Sequence, residues 1–172
     1  MVNNLNHVKV EIILPNYNSE AYLEETIKSV INQAFKDWRL TIVDGNSNIA
    51  TQEILKKYID YKYINIIKLK KNKKAGFCRN YAIRNSKSDY IAFIDSDDIW
   101  EEEKLSKQLD FMIKNKYYFT YTNYLTFPID NLLTIIVLVA IEVFLVNFLK
   151  SKYFGGLISN KLFFFFPDLN GR

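Results

Sequence analysis

Residues 8–14, VKVEIIL, alternate between apolar and polar and then run apolar up to Pro15, the pattern of a buried strand that Pro15 ends and a loop follows. From Ser19, a side chain suited to an N-cap, Leu23, Ile27, Val30, Ile31 and Ala34 recur at helical spacing and predict an amphipathic helix. The succession then repeats. RLTIV (39–43) predicts a strand, DGNSNIA a loop, and residues 51–60 a helix with Ile54, Leu55 and Tyr58 on one face. YINIIKL (63–69) predicts a third strand, residues 75–86 a helix carrying Phe77, Cys78, Tyr81 and Ala82, and DYIAFI (89–94) a fourth strand. A helix over 101–114 aligns Leu105, Leu109, Met112 and Ile113, with Glu101, Glu102 and Glu103 in its first turn, where the helix dipole favours acids. YYFTYTNY (117–124) predicts a further strand.

Regular alternation of strands and helices implies right-handed βαβ units and an α/β fold, a mainly parallel sheet with helices on both faces. Ligands of such sheets bind beyond the carboxyl ends of the strands. The conspicuous polar segments fall there: PNYN after the first strand, DGNSN after the second, KLKKNKK after the third and DSDD after the fourth.

Composition divides the chain near Pro128. Of 23 basic and 19 acidic side chains, the last 45 residues carry seven, so residues 1–127 read as the ligand-binding domain and 128–172 as an atypical apolar tail. Within the tail, residues 132–149 form an 18-residue apolar stretch interrupted by one charge, Glu142, which is marginal for a membrane span and equally compatible with a surface-lying helix or buried strands. The opening MVNNLNHVKV has neither a basic n-region nor an apolar h-region, so no secretory leader is expected. A lone cysteine, Cys78, excludes a disulfide framework and a Cys/His zinc site; with the missing leader it points to the cytoplasm, or to the inner face of the cell membrane should 132–149 anchor there.

The net charge of +4 says less than its placement. Nine lysines and arginines and no acid lie between Tyr61 and Ser88, whereas seven acids and no base lie between Asp89 and Glu103. Two readings are open for Asp95, Asp97 and Asp98. They are solvated residues before a helix, or they hold a hard divalent ion, Mn²⁺ or Mg²⁺, that also takes phosphate oxygens. Lys68, Lys70, Lys71, Lys73 and Lys74 read first as a solvated loop that raises the local anion concentration. Arg79 differs, because its guanidinium at a helix start suits bidentate phosphate binding. A nucleic-acid surface over 61–88 ranks last, since the adjacent acidic block repels a phosphate backbone, and no nucleic-acid partner is expected.

The series Pro15-Asn-Tyr17-Asn18, Val43-Asp44-Gly-Asn-Ser47, Cys78-Arg79-Asn80 and Phe93-Ile-Asp95-Ser-Asp97-Asp98-Ile-Trp100 resembles the family 2 nucleotide-sugar glycosyltransferases, of GT-A fold, over roughly residues 8–125. The resemblance implies that Pro15 and Tyr17 lie against the base, that Asp44 accepts a hydrogen bond from it, and that Arg79 lies beside base and diphosphate. It places Asp95 near the ribose and makes Asp97 the metal ligand, with Asp95 and Asp98 as neighbours. It further implies a UDP-sugar donor, a glycan or lipid-linked acceptor hydroxyl and transfer with inversion.

The chain also departs from the family pattern. Gly45 and Ile49 replace two acids of the usual D-D-G-S-x-D loop, and Lys74 and Cys78 replace Gly and Ala ahead of Arg79. The closing FPDLNGR resembles a stretch that usually precedes the catalytic base, so a chain shortened before that base, binding nucleotide sugar without turnover, is the alternative expectation.

Overall fold

The computed structural model describes residues 9–122 and the backbone of a strand at 162–164. The elements are β1 (Val10–Asn16), α1 (Leu23–Ile31), β2 (Trp38–Asp44), α2 (Ile49–Lys56), β3 (Ile64–Lys68), α3 (Ala75–Asn85), β4 (Tyr90–Phe93), α4 (Lys104–Asn115), β5 (Phe119–Thr120) and β6 (Leu162–Phe164). The strands order as β3-β2-β1-β4-β6-β5, and every pairing is parallel. The chain winds outward from β1 to β3 and then returns to β4 on the other side of β1. Its switch point is therefore the crevice between the carboxyl ends of β1 and β4.

Period-two alternation sorts the strand residues between two layers. Val10, Ile12 and Leu14 join Leu40, Ile42 and Ile94 against α1, α2 and α4, and Ile13, Val43, Ile91 and Phe93 pack on Cys78 and Ala82 of α3. Full burial of an Ile or Leu contributes about 1.5–3 kcal/mol, so this sheet gives the edge loops a stiff base. Glu11 breaks the apolar pattern on the α3 side. It is buried, but its oxygens accept Thr41 Oγ1 at 2.5 Å, Ser88 Oγ at 3.2 Å and Ser86 Oγ at 3.3 Å.

Several sequence expectations need correction. Pro15 does not end β1, which continues to Asn16 and pairs Pro15 with Val43. Ile94 N–H donates to Ile13 O, so Ile13 and Pro15 turn their peptide groups toward β4, and β4 has ended before it reaches Pro15. No ladder bond is lost there. Ser19 does not cap α1, which begins at Leu23 after a preceding turn. Glu101, Glu102 and Glu103 precede α4 instead of forming its first turn. The helix α3 buries Cys78 and Ala82 but exposes Phe77 and Tyr81. The strand β6, unforeseen in the sequence, lies between β4 and β5, so the tail contributes to the sheet. Among the described residues no helix is long and apolar enough to cross a membrane, and the stretch 132–149 lies outside them.

Candidate functional site

The adjoining strands β1 and β2 end in register, Asn16 opposite Asp44, and Gly45 N–H donates to Asn16 O at 2.8 Å. Asp44 is fully buried and saturated. Its Oδ1 accepts Asn16 Nδ2 at 2.7 Å and the Ser47 hydroxyl, and its Oδ2 accepts Gln52 Nε2 at 2.6 Å and Ser47 N–H at 3.2 Å. The resemblance places Asp44 against the base; in this structure four protein donors occupy its lone pairs and it has no exposed surface. It acts as a knot tying the second loop to β1 and α2.

The first loop is tied to the same knot. Asn18 and Asn46 adopt left-handed backbone, φ 50° and 69°, a region asparagine tolerates better than most side chains. Asn18 N–H donates to Ser47 Oγ at 2.9 Å, and Asn48 N–H donates to Asn18 Oδ1 at 2.8 Å. Asn48 caps α2 through Thr51 N–H at 2.9 Å, and Glu20 accepts Asn48 Nδ2 and Thr51 Oγ1, both at 2.9 Å. The Glu20 carboxyl is held below its ordinary range, first by its own backbone N–H and then by Asn48 and Thr51. A depressed carboxyl pKa stabilises the fold above the unfolded value, and the contribution disappears as pH falls through the folded value. Glu20→Gln is expected to destabilise the chain near neutral pH, with the difference from wild type closing below the usual glutamate range; urea melts across pH check this.

Three loops meet around Gly45. A Cβ there would lie 3.3 Å from Asn16 O and Asn72 Oδ1 and 3.5 Å from Tyr17 Cδ2. Pro15 is buried below, while the Tyr17 ring is half-exposed and offers a stacking face.

On the other side of the crevice, Arg79 in the second turn of α3 pairs through its guanidinium with Asp95 just beyond β4. Burial first, and then the charge of Asp44, push the Cys78 thiol up, while the Arg79 guanidinium pulls it down. Thr26 Oγ1 donates to Ser96 O at 3.1 Å and Asp98 N–H to Asp95 O at 3.2 Å, holding the DSDD loop to α1. Asp97 is exposed. Burial raises the Asp98 carboxyl first, and the charges of Asp95 and Asp97 raise it further. This excess of negative potential is what a bound cation relieves.

Among the described residues no three His, Cys, Asp or Glu side chains gather into a metal cage. The exposed Asp97 with its two neighbours nonetheless fits Mn²⁺ or Mg²⁺, ions that commonly take one or two carboxylates and fill their other positions with phosphate oxygens and water.

The acidic loop is braced from beneath by Gln33, a residue without any sequence signal. Fully buried, it donates through Nε2 to Glu101 O at 2.7 Å and accepts Leu105 N–H through Oε1 at 3.0 Å. Lys104 places its buried ammonium 3.6 Å from the centre of the Trp100 ring, and burial holds its pKa well down against the opposing pull of Asp98. Asp44, Arg79 and Asp97 thus stand on one edge of the sheet, Asp44 closed off by protein donors and Asp97 open to solvent. Asn16, Ser47, Gln52, Asn72 and Gln33 are parts of the site that sequence reading did not single out; Asn16 and Ser47 lie inside the quoted motifs, and only the fold reveals their partners.

A parallel sheet with these loops at its carboxyl edge defines a GT-A type glycosyltransferase domain. Residues 11–165 match the model of glycosyl transferase family 2, and the chain belongs to that family. The match runs well past residue 125, where the motif resemblance ends, and takes in most of the tail. The chain is 40% identical over 117 residues to the protein named for teichuronic acid biosynthesis, the glycosyltransferase TuaG of Bacillus subtilis (strain 168), covering 67% of this chain and 46% of that one. It is 36% identical over 115 residues to the Escherichia coli UDP-Glc:alpha-D-GlcNAc-diphosphoundecaprenol beta-1,3-glucosyltransferase WfgD, covering 67% and 45%. The chain spans a little under half the length of these relatives. Among solved structures, S. aureus TarS 1-349 in complex with UDP-GlcNAc superposes with a TM-score of 0.63 at 27% identity, over 70% of this chain and 37% of that one.

Proposed function

We propose that this chain carries the donor site of a UDP-sugar-dependent glycosyltransferase that passes its sugar, with inversion, to a hydroxyl of a glycan or lipid-linked acceptor on the cytoplasmic side of the membrane. The observation that carries the reading is the Arg79–Asp95 pair beside the switch-point crevice, with Asp97 exposed in the same loop. The TarS complex with UDP-GlcNAc supports the donor class, and the name of WfgD supports a lipid-linked acceptor.

In this reading the half-exposed Tyr17 ring stacks on the base, with Pro15 buried beneath as backing. Arg79 directs its guanidinium to the diphosphate, and Asp95 takes a ribose hydroxyl while orienting Arg79. Asp97, flanked by Asp95 and Asp98, holds the divalent ion, whose charge when bound offsets that developing on the departing diphosphate. The acceptor oxygen attacks the anomeric carbon from the face opposite the leaving UDP, and its proton passes to a carboxylate outside the described residues. Asp44 serves by positioning the Tyr17 and Gly45 loops.

The test is release of UDP from UDP-Glc or UDP-GlcNAc by the full chain with Mn²⁺ and diphosphoundecaprenol-linked N-acetylglucosamine. Acceptor-dependent release is the expected result. Absence of both release and UDP binding would overturn the reading, whereas binding without release would confine it to the donor site.

A further inference from the structure

The fold brings the basic stretch 61–88 to an open surface and adds an aromatic component to it. Residues 70–77 are eight consecutive exposed positions, four of them lysines: Lys70, Lys71, Lys73 and Lys74. A Cβ added at Gly76 would meet nothing within 4 Å. The loop runs into α3, which turns Cys78 and Ala82 inward and leaves Phe77 and Tyr81 47% and 39% exposed. These rings stack on each other, centroids 6.3 Å apart at 26°, and Lys73 Nζ lies 5.4 Å from the centre of the Phe77 ring. Cations and rings therefore form one continuous patch.

Each class of anion would use this patch differently. A small soluble anion pairs with lysines but leaves a stacked ring pair in water. An anionic bilayer takes both parts, since aromatic rings settle at headgroup depth while lysine stems reach over them to place their ammonium groups among the phosphates. The stretch from Tyr61 to Ser88 holds no acid; Asp89 comes just before β4 and the acids at 95–103 belong to the segment beyond it, outside this patch.

We propose that the loop between β3 and α3, together with the Phe77 and Tyr81 side of α3, docks on an anionic lipid surface. The amino end of α3 lies on the same sheet edge as Arg79, so docking turns the crevice toward the headgroups. The proposal goes beyond the glycosyl-transfer reading and is measured without donor or acceptor, so either can fail alone.

The experiment is sedimentation of the full chain with vesicles of phosphatidylcholine alone or with about one third phosphatidylglycerol, at low and high salt. Wild type is expected to partition at least tenfold better onto the anionic vesicles and to lose that preference with salt. Each basic side chain at an anionic surface is worth about fivefold, so Lys70→Glu with Lys71→Glu should remove tenfold or more of the anionic partition. Phe77→Ser with Tyr81→Ser should remove several-fold, with the melting temperature of both double variants preserved because all four positions are exposed. Binding to neutral vesicles should be unchanged in the lysine variant and reduced, if at all, only in the aromatic one. Equal partition of wild type onto both vesicles, or wild-type behaviour of either double variant, would overturn the proposal. So would tight RNA binding lost in the same variants with no preference for anionic lipid.

Discussion

Asp44→Ala is expected to lower the unfolding free energy by about 3 kcal/mol, a fall of roughly 6–12 °C in melting temperature for a chain of this size. The carboxylate has no exposed surface and holds four donors from Asn16, Ser47 and Gln52. Alanine leaves a buried amide, a backbone N–H and a second side-chain amide facing a cavity, and each unsatisfied group costs about 1–3 kcal/mol before relaxation. Asp44→Asn keeps the volume but turns an NH₂ group toward existing donors, so it should recover only part of the loss. Urea denaturation of the three proteins measures this. A change under about 1 kcal/mol for alanine would show that the first two loops hold their shape without the knot.

Arg79→Ala is expected to weaken UDP binding by about 10- to 100-fold, the range for a charge-assisted hydrogen-bonding group lost from a diphosphate. Stability should change far less. The Arg79–Asp95 pair remains about a quarter to a third exposed, and pairs so open to solvent contribute little to folding. Arg79→Lys separates charge from shape: an ammonium keeps the attraction but loses the planar fork, so an intermediate affinity is expected. Calorimetric titration beside thermal melts distinguishes this from a general loss of fold, which would lower both quantities together.

Strand and helix identity through residue 115 was legible because β1, β2 and β4 are buried on both faces and α1 and α4 carry clear apolar stripes. Boundaries slipped where tertiary context overrode a local signal. Pro15 reads as a strand stop, yet it sits where the neighbouring strand has already ended. The glutamates before α4 read as a first helical turn, yet backbone carbonyls at Glu101 and Glu102 are drawn instead to Gln33 and Ala34 of the α1 side. The strand β6 was hidden because KLFFFF gives no alternation and its partners lie far back in the chain. Clustering of the polar loops on one edge followed from parallel topology alone. The local pattern could not separate Asp44, sealed by side chains from three segments, from Asp97, open to solvent, because both are aspartates just beyond apolar strands. Only the placement of Asn16 and Gln52 distinguishes them.

The proposed donor site requires that the crevice between β1 and β4 receive a cation-bridged pyrophosphate. Its most direct test is calorimetric titration of UDP into wild type and Asp97→Ala, each with and without Mn²⁺. Mn²⁺ is expected to tighten binding to wild type by about tenfold or more, and the alanine variant to lose this enhancement while keeping its melting temperature. Equal affinity of the two proteins with Mn²⁺ present, or no effect of Mn²⁺ on wild type, would contradict it.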